Sequence, residues 1–160
     1  IPFENDLYYA LLVYSNILGG GPNSKLFQIV RERESLCYYI FSRIQKFKSL
    51  MLIGSGIEFE NYERVLSLIE EQISEMREGN FTDEAIQNAK NSLTTSIRSL
   101  TDSPGALADF YYTQTIGNQY VDIEEMIQKI MNVTREEIIK AGENIKLDTI
   151  YFLRNEKESR

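Results

Sequence analysis

The stretch Ile17–Ile40, "ILGGGPNSKLFQIVRERESLCYYI", decides how this chain is read. It packs three consecutive glycines, a proline, two arginines and two tyrosines into one short segment. Upstream, Asn5 or Asp6 can cap a helix that carries Leu7, Ala10, Leu11, Tyr14 and Leu18 on one face. Gly19-Gly20-Gly21-Pro22 ends that helix, because glycine forms helix poorly and proline lacks the N–H that a continuing helix needs. Asn23 or Ser24 starts a second, short helix with Leu26, Phe27 and Val30 facing inward, running to about Glu34 or Ser35.

Beyond that helix the periodicity changes from helical to alternating. "CYYIFSRIQKF" (37–47) places Tyr38, Ile40, Ser42 and Ile44 on one face and Tyr39, Phe41, Arg43 and Gln45 on the other. "SLMLIGSGIEF" (49–59) follows after a tight connection at Lys48-Ser49, which predicts an antiparallel hairpin. Gly54 and Gly56 predict a bend or a close backbone approach in the second strand.

Helices fill most of the remainder. Leu66, Ile69, Ile73 and Met76 form an apolar stripe between Tyr62 and Gly79, with Gly79 placed to end the helix. Thr82 caps a helix carrying Ile86, Ala89, Leu93, Ile97 and Leu100 inward, and Ser103-Pro104 opens another that ends near Gly117. Asp122 with Glu125, and Thr134 with Glu137, fit capping boxes that open two shorter helices. "DTIYFLR" (148–154) reads as a short closing strand, and the acidic and basic residues of "EEQISEMREGN" and "TREEIIKAGEN" read as solvated helix faces. The pattern is α+β: one domain over 1–160, an antiparallel-rich sheet covered by about seven helices. Three short strands are few for so many helices, so a further strand is expected before Ile1, with the chain a piece of a longer, multi-domain protein. An edge left by that strand predicts edge-to-edge dimers of the fragment.

Composition narrows the chemistry. Hydrophobic residues make up 42% and charged residues 26%, enough for a real core. Seventeen basic residues against 24 acidic give −7, which argues against a nucleic-acid backbone or an anionic membrane surface as the main partner. No apolar run reaches the length of a membrane span. Cys37 is the single cysteine, so no internal disulfide forms, which fits a reducing, cytoplasmic setting. With no histidine in the chain, a Ser-His-Asp or Cys-His site cannot be built, and imidazole ligands for a catalytic zinc are lacking. The calcium-loop spacing D-x-[DN]-x-[DN]-G is absent too, so the chain is expected to hold no metal and no catalytic residue of its own.

"GGGPNSK" fails as a phosphate loop, since Lys25 is followed by Leu26 and no strand precedes the glycines. Its bare backbone suits either a plain helix–helix connection or the close approach of a peptide. Arg31 and Tyr38 flank a helix-to-strand turn that can aim both side chains into one cleft, where they could hold a peptide carbonyl or a developing oxyanion. On residue chemistry alone the plainer reading outweighs this one: a solvated arginine and a strand tyrosine.

Gly19-Gly20-Gly21, Ser24, Leu26-Phe27, Arg31, Leu36 and Tyr38 together resemble the C-terminal-type domain of the pitrilysin/insulinase family. These are the inverted-zincin metallopeptidases, with bacterial members and the mitochondrial processing peptidases among them. Cys37 stands where that family often has glycine or alanine. The resemblance implies an inverted-zincin metallohydrolase-like half-domain whose first strand precedes this chain. It implies a non-catalytic half of a zinc-dependent metallopeptidase, contacting peptide substrate through Arg31 and Tyr38, with Gly19, Gly20 and Gly21 lining the chamber wall. The zinc and its H-x-x-E-H motif would belong to a partner domain of the same or a neighbouring chain. The alternative is a proteolytically inactive structural or assembly subunit of the same fold.

Overall fold

A computed structural model describes residues 1–2, 5–117 and 120–154. Its core is built around α1 (Tyr8–Gly19), which buries Ala10, Leu11, Val13, Tyr14, Ile17 and Leu18. Burial on so many sides marks a central helix rather than an amphipathic surface one. The Asn5 carboxamide accepts from the Leu7 N–H at 2.8 Å, making a turn just ahead of the helix instead of a cap within it.

Gly19 closes α1 against the hairpin that follows. Strands β1 (Cys37–Gln45) and β2 (Leu50–Ile57) pair antiparallel, with Phe41 opposite Gly54 and Tyr39 opposite Gly56. From Ile40 onward the faces alternate as the sequence predicts, with Ile40 and Ser42 buried and Arg43 exposed, but Tyr38, expected on the Ile40 face, is exposed like Tyr39 because the register is broken between Cys37 and Tyr39. Ser15 of α1 and Ser42 of β1 share a buried hydroxyl–hydroxyl hydrogen bond of 2.8 Å, satisfying both polar groups inside the helix–strand interface. The connection is longer than Lys48-Ser49 alone, since Lys46–Lys48 form one 3-10 turn and Ser49 takes a left-handed φ of 50°.

One expectation gains detail and two need correction. The short second helix is a π-helix, Phe27–Arg33, with the Glu34 N–H reaching back five residues to the Ile29 carbonyl. In α2 (Tyr62–Arg77) the buried positions are Val65, Leu68, Gln72 and Met76, so the inward stripe is rotated by about one residue from Leu66, Ile69 and Ile73. Those three lie half-buried on its flank. The segment 148–154 forms no strand: among the described residues the sheet has two strands, and 148–154 pairs with neither. Leu147, Tyr151 and Leu153 are exposed, and Phe152 instead stacks on Tyr62 and Phe59 with centroids 4.3 and 6.0 Å apart.

The helix-end signals are realised closely. Thr82, Ser103, Asp122 and Thr134 each accept an N–H three residues on, opening α3 (Asp83–Arg98), α4 (Pro104–Ile116), α5 (Ile123–Asn132) and α6 (Arg135–Glu143). Thr134 and Glu137 complete the reciprocal capping box. Glu125 does not return the bond to Asp122 and pairs with Lys129 at 3.1 Å. After α2, Gly79 adopts φ 79°, its N–H bonds the Met76 carbonyl and the Asn80 N–H bonds the Glu75 carbonyl, which is a Schellman turn.

Two cations read as solvated or unremarkable from sequence are structural. The Arg135 guanidinium donates to the Gly79 and Phe81 carbonyls at 3.0 and 2.8 Å and to Asp83 at 2.6 Å, tying α6 to the α2–α3 turn. Lys90, nearly buried on α3, donates to the Met131 and Val133 carbonyls at 2.8 and 2.6 Å and so closes the C-terminal end of α5. Burial pushes its pKa down, with the Glu137 carboxylate acting the other way. Lys90→Met keeps the aliphatic stem and orphans both carbonyls, so urea unfolding is expected to show a loss of about 1–3 kcal/mol. An unchanged midpoint would show that water satisfies these groups equally well.

Candidate functional site

Between Arg31 and Tyr38 the backbone departs from regular geometry three times in succession. The π-helix carries Arg31, Ser35 takes a left-handed φ of 53°, and β1 opens with a bulge between Cys37 and Tyr39. Each departure costs free energy unless the surrounding structure holds it, and such departures concentrate at functional sites. The hold here is good: Leu26 and Val30 are fully buried, and the Leu36 N–H bonds the Val30 carbonyl at 2.9 Å. The strained segment rests on packed anchors while its polar side chains face out.

Arg31 is exposed, and its guanidinium lies 4.7 Å from the centroid of the Phe27 ring, one turn earlier. Its charge also reaches the start of β1, where it draws the Cys37 thiol down against the larger upward effect of burial. Tyr38 is 66% exposed, so its phenol is accessible to a ligand. Its hydroxyl donates to the Glu58 carboxylate, which raises the phenol pKa. Sequence reasoning missed Glu58: it sits twenty residues away, and only the hairpin register brings it beside Tyr38.

The glycines divide. Gly19 is buried, with no room for a side chain, whereas Gly20 and Gly21 are at least partly open to solvent. The latter two line a recess of about 100 Å³ against α3, together with Asn16, Asn23, Asn88 and Ser92. That lining includes neither Arg31 nor Tyr38, so the glycines share this recess with neither of them. Among the described residues no group of three or more His, Cys, Asp or Glu side chains is placed to hold a metal ion, so these residues do not fit a zinc site. No described helix is long and apolar enough to cross a membrane.

Comparison with known proteins bears on the whole chain. The family model described as the peptidase M16 inactive domain matches residues 2–93. A Bacillus subtilis protein named "Probable inactive metalloprotease YmfF" is 42% identical over 154 residues, covering 96% of this chain and 36% of that protein. A Streptomyces coelicolor protein named "Uncharacterized zinc protease SCO5738" is 26% identical over 133 residues, 81% of this chain and 29% of that protein. The chain thus spans about a third of the length of these relatives. Among solved structures, a conserved protein from Enterococcus faecalis superposes with a TM-score of 0.83 at 34% identity, over 89% of this chain and 34% of that one. A peptidase M16 inactive domain from Pseudomonas fluorescens gives 0.79 at 22% identity, over 91% and 36%, and shares the fold.

Proposed function

The chain belongs to the peptidase M16 inactive-domain family, and from that premise we propose that it is the substrate-contacting, non-catalytic half of a zinc metallopeptidase. It meets peptide at Arg31 and Tyr38 and completes a proteolytic chamber with a partner domain, of the same or a neighbouring chain, that carries zinc on H-x-x-E-H. The single observation supporting this most is the run of irregular backbone that holds both side chains at the surface on buried anchors. Helix, left-handed residue and bulge in sequence are an expensive way to display a merely solvated arginine and a strand tyrosine. Gly20 and Gly21 form a second, separate part of the peptide-lined wall. The lone half-buried thiol fits the cytoplasm.

A second reading has its own support: the Bacillus subtilis relative is named as inactive, which favours a structural or assembly subunit of the same fold. The two differ in whether H-x-x-E-H occurs in the longer protein or its partner. Both require this chain to be inert alone. The separately purified chain is expected to retain no stoichiometric zinc after dialysis and to cleave no fluorogenic peptide. One tightly held zinc per chain by elemental analysis, or chelator-sensitive cleavage that survives repurification, would overturn the assignment of zinc to a partner.

A further inference from the structure

The outward face of the hairpin carries a strip of side chains that the Arg31–Tyr38 reading leaves unused. On β1, Tyr39, Phe41 and Arg43 point outward, opposite Gly56, Gly54 and Leu52 on β2. The two rings lie down over the glycines: a Cβ on Gly56 would stand 2.5 Å from the Tyr39 ring, and one on Gly54 2.6 Å from the Phe41 ring. The rings stack with centroids 6.2 Å apart and 16° between their planes. The Arg43 guanidinium follows, 5.4 Å from the Phe41 centroid, and Leu50 and Leu52 continue the strip as exposed aliphatic surface. Positions 39, 41 and 43 are spaced by about 7 Å, the repeat of alternate side chains in an extended ligand.

Charge distinguishes what such a ligand carries. Residues 27–57, the π-helix and the hairpin, hold five basic side chains, Arg31, Arg33, Arg43, Lys46 and Lys48, against the acidic pair Glu32 and Glu34. That is +3 within a chain of −7, leaving −10 for the remainder. Glu34 is itself drawn to Arg33 and Arg64, each at 3.5 Å, and Glu58 accepts from Tyr38. The hairpin and π-helix therefore form a positive region on a negative molecule, a distribution that steers anionic partners to this face and away from the rest.

We propose that this face docks an extended acidic peptide segment, with apolar side chains on Tyr39 and Phe41 and a carboxylate at Arg43, extending toward Lys48 at the hairpin tip. This rests on the peptide-contacting reading above and names its substrate class. Stacked rings beside a cation could also receive the bases of a single nucleic-acid strand. The exposed aliphatic surface of Leu50 and Leu52 favours the peptide.

Fluorescence anisotropy tests it directly, with a short labelled probe alternating Glu and Phe and a matched probe with Gln for Glu. Against the wild-type chain, the acidic probe is expected to bind at least about tenfold tighter than the Gln probe, with an advantage that fades as salt rises. R43E is expected to erase that advantage while leaving the Gln probe unaffected, and Arg43 is exposed enough for circular dichroism to stay unchanged. Should R43E unfold, the salt dependence on wild type and the milder R43Q decide the question. Equal affinity for both probes overturns the acidic class and leaves the peptide-contacting reading standing. Failure of both probes to bind removes the docking face altogether. Tighter binding of oligo-dT, or of phosphatidylglycerol vesicles, than of the acidic probe assigns the face to a nucleic acid or a membrane and overturns the proposal.

Discussion

Gly19→Ala is expected to destabilise the chain by about 1–3 kcal/mol, although alanine is the better helix former. The added Cβ would stand 2.5 Å from the Ser42 backbone nitrogen, 2.8 Å from the Ser42 Cβ and 3.0 Å from the Phe41 carbonyl carbon. None of these is the far end of a flexible side chain. Relief must come from moving β1 off α1, which would also stretch the buried Ser15–Ser42 hydrogen bond. Gly105, in the first turn of α4, provides the contrast, since a Cβ there meets nothing within 4 Å. Gly105→Ala is expected to be neutral or to stabilise by up to about 1 kcal/mol. Urea unfolding of the two variants side by side checks both signs. An unchanged Gly19→Ala would mean that helix and strand do not approach this closely in solution.

The same glycine shows what was legible in the sequence. That the helix must end at Gly19-Gly20-Gly21-Pro22 follows from propensity, and it does end there. That Gly19 is required by a strand more than twenty residues later does not, because close approach is a tertiary property. The hairpin was readable because alternation is local, and the caps at Thr82, Ser103, Asp122 and Thr134 because an N-cap needs only its own next three residues. The strand expected at 148–154 failed because strand propensity is realised only through pairing, and this segment pairs with neither hairpin strand. The rotated stripe of α2 has a similar origin: Gln72 takes an inward position that a hydrophobic pattern cannot assign to it. For the site, the residues of Arg31 and Tyr38 were visible, and the family resemblance gave them a role. The π-helix beneath Arg31 and the carboxylate beside Tyr38 were not, since no sequence period signals the first and the second depends on hairpin register.

On the proposed substrate-contacting reading, Tyr38→Phe is expected to lower the turnover of the assembled metallopeptidase by at least about tenfold while leaving its thermal stability nearly unchanged. Tyr38 has a single O–H to give, and here it goes to Glu58. To serve a peptide it must turn from that carboxylate to the carbonyl oxygen, where its bond strengthens as negative charge develops, together with that of Arg31. Losing one donor of that kind costs on the order of 2.7–4 kcal/mol, or about a hundredfold to a thousandfold in rate. Phenylalanine keeps the ring and removes only the hydroxyl, and because Tyr38 is 66% exposed its loss takes little from the core. Turnover and melting temperature measured on one preparation of the assembled protein, wild type beside Tyr38→Phe, test the central claim most directly. A tenfold or larger fall in turnover at an unchanged melting temperature is the predicted result; normal turnover in Tyr38→Phe, or a loss seen only in stability, would contradict it.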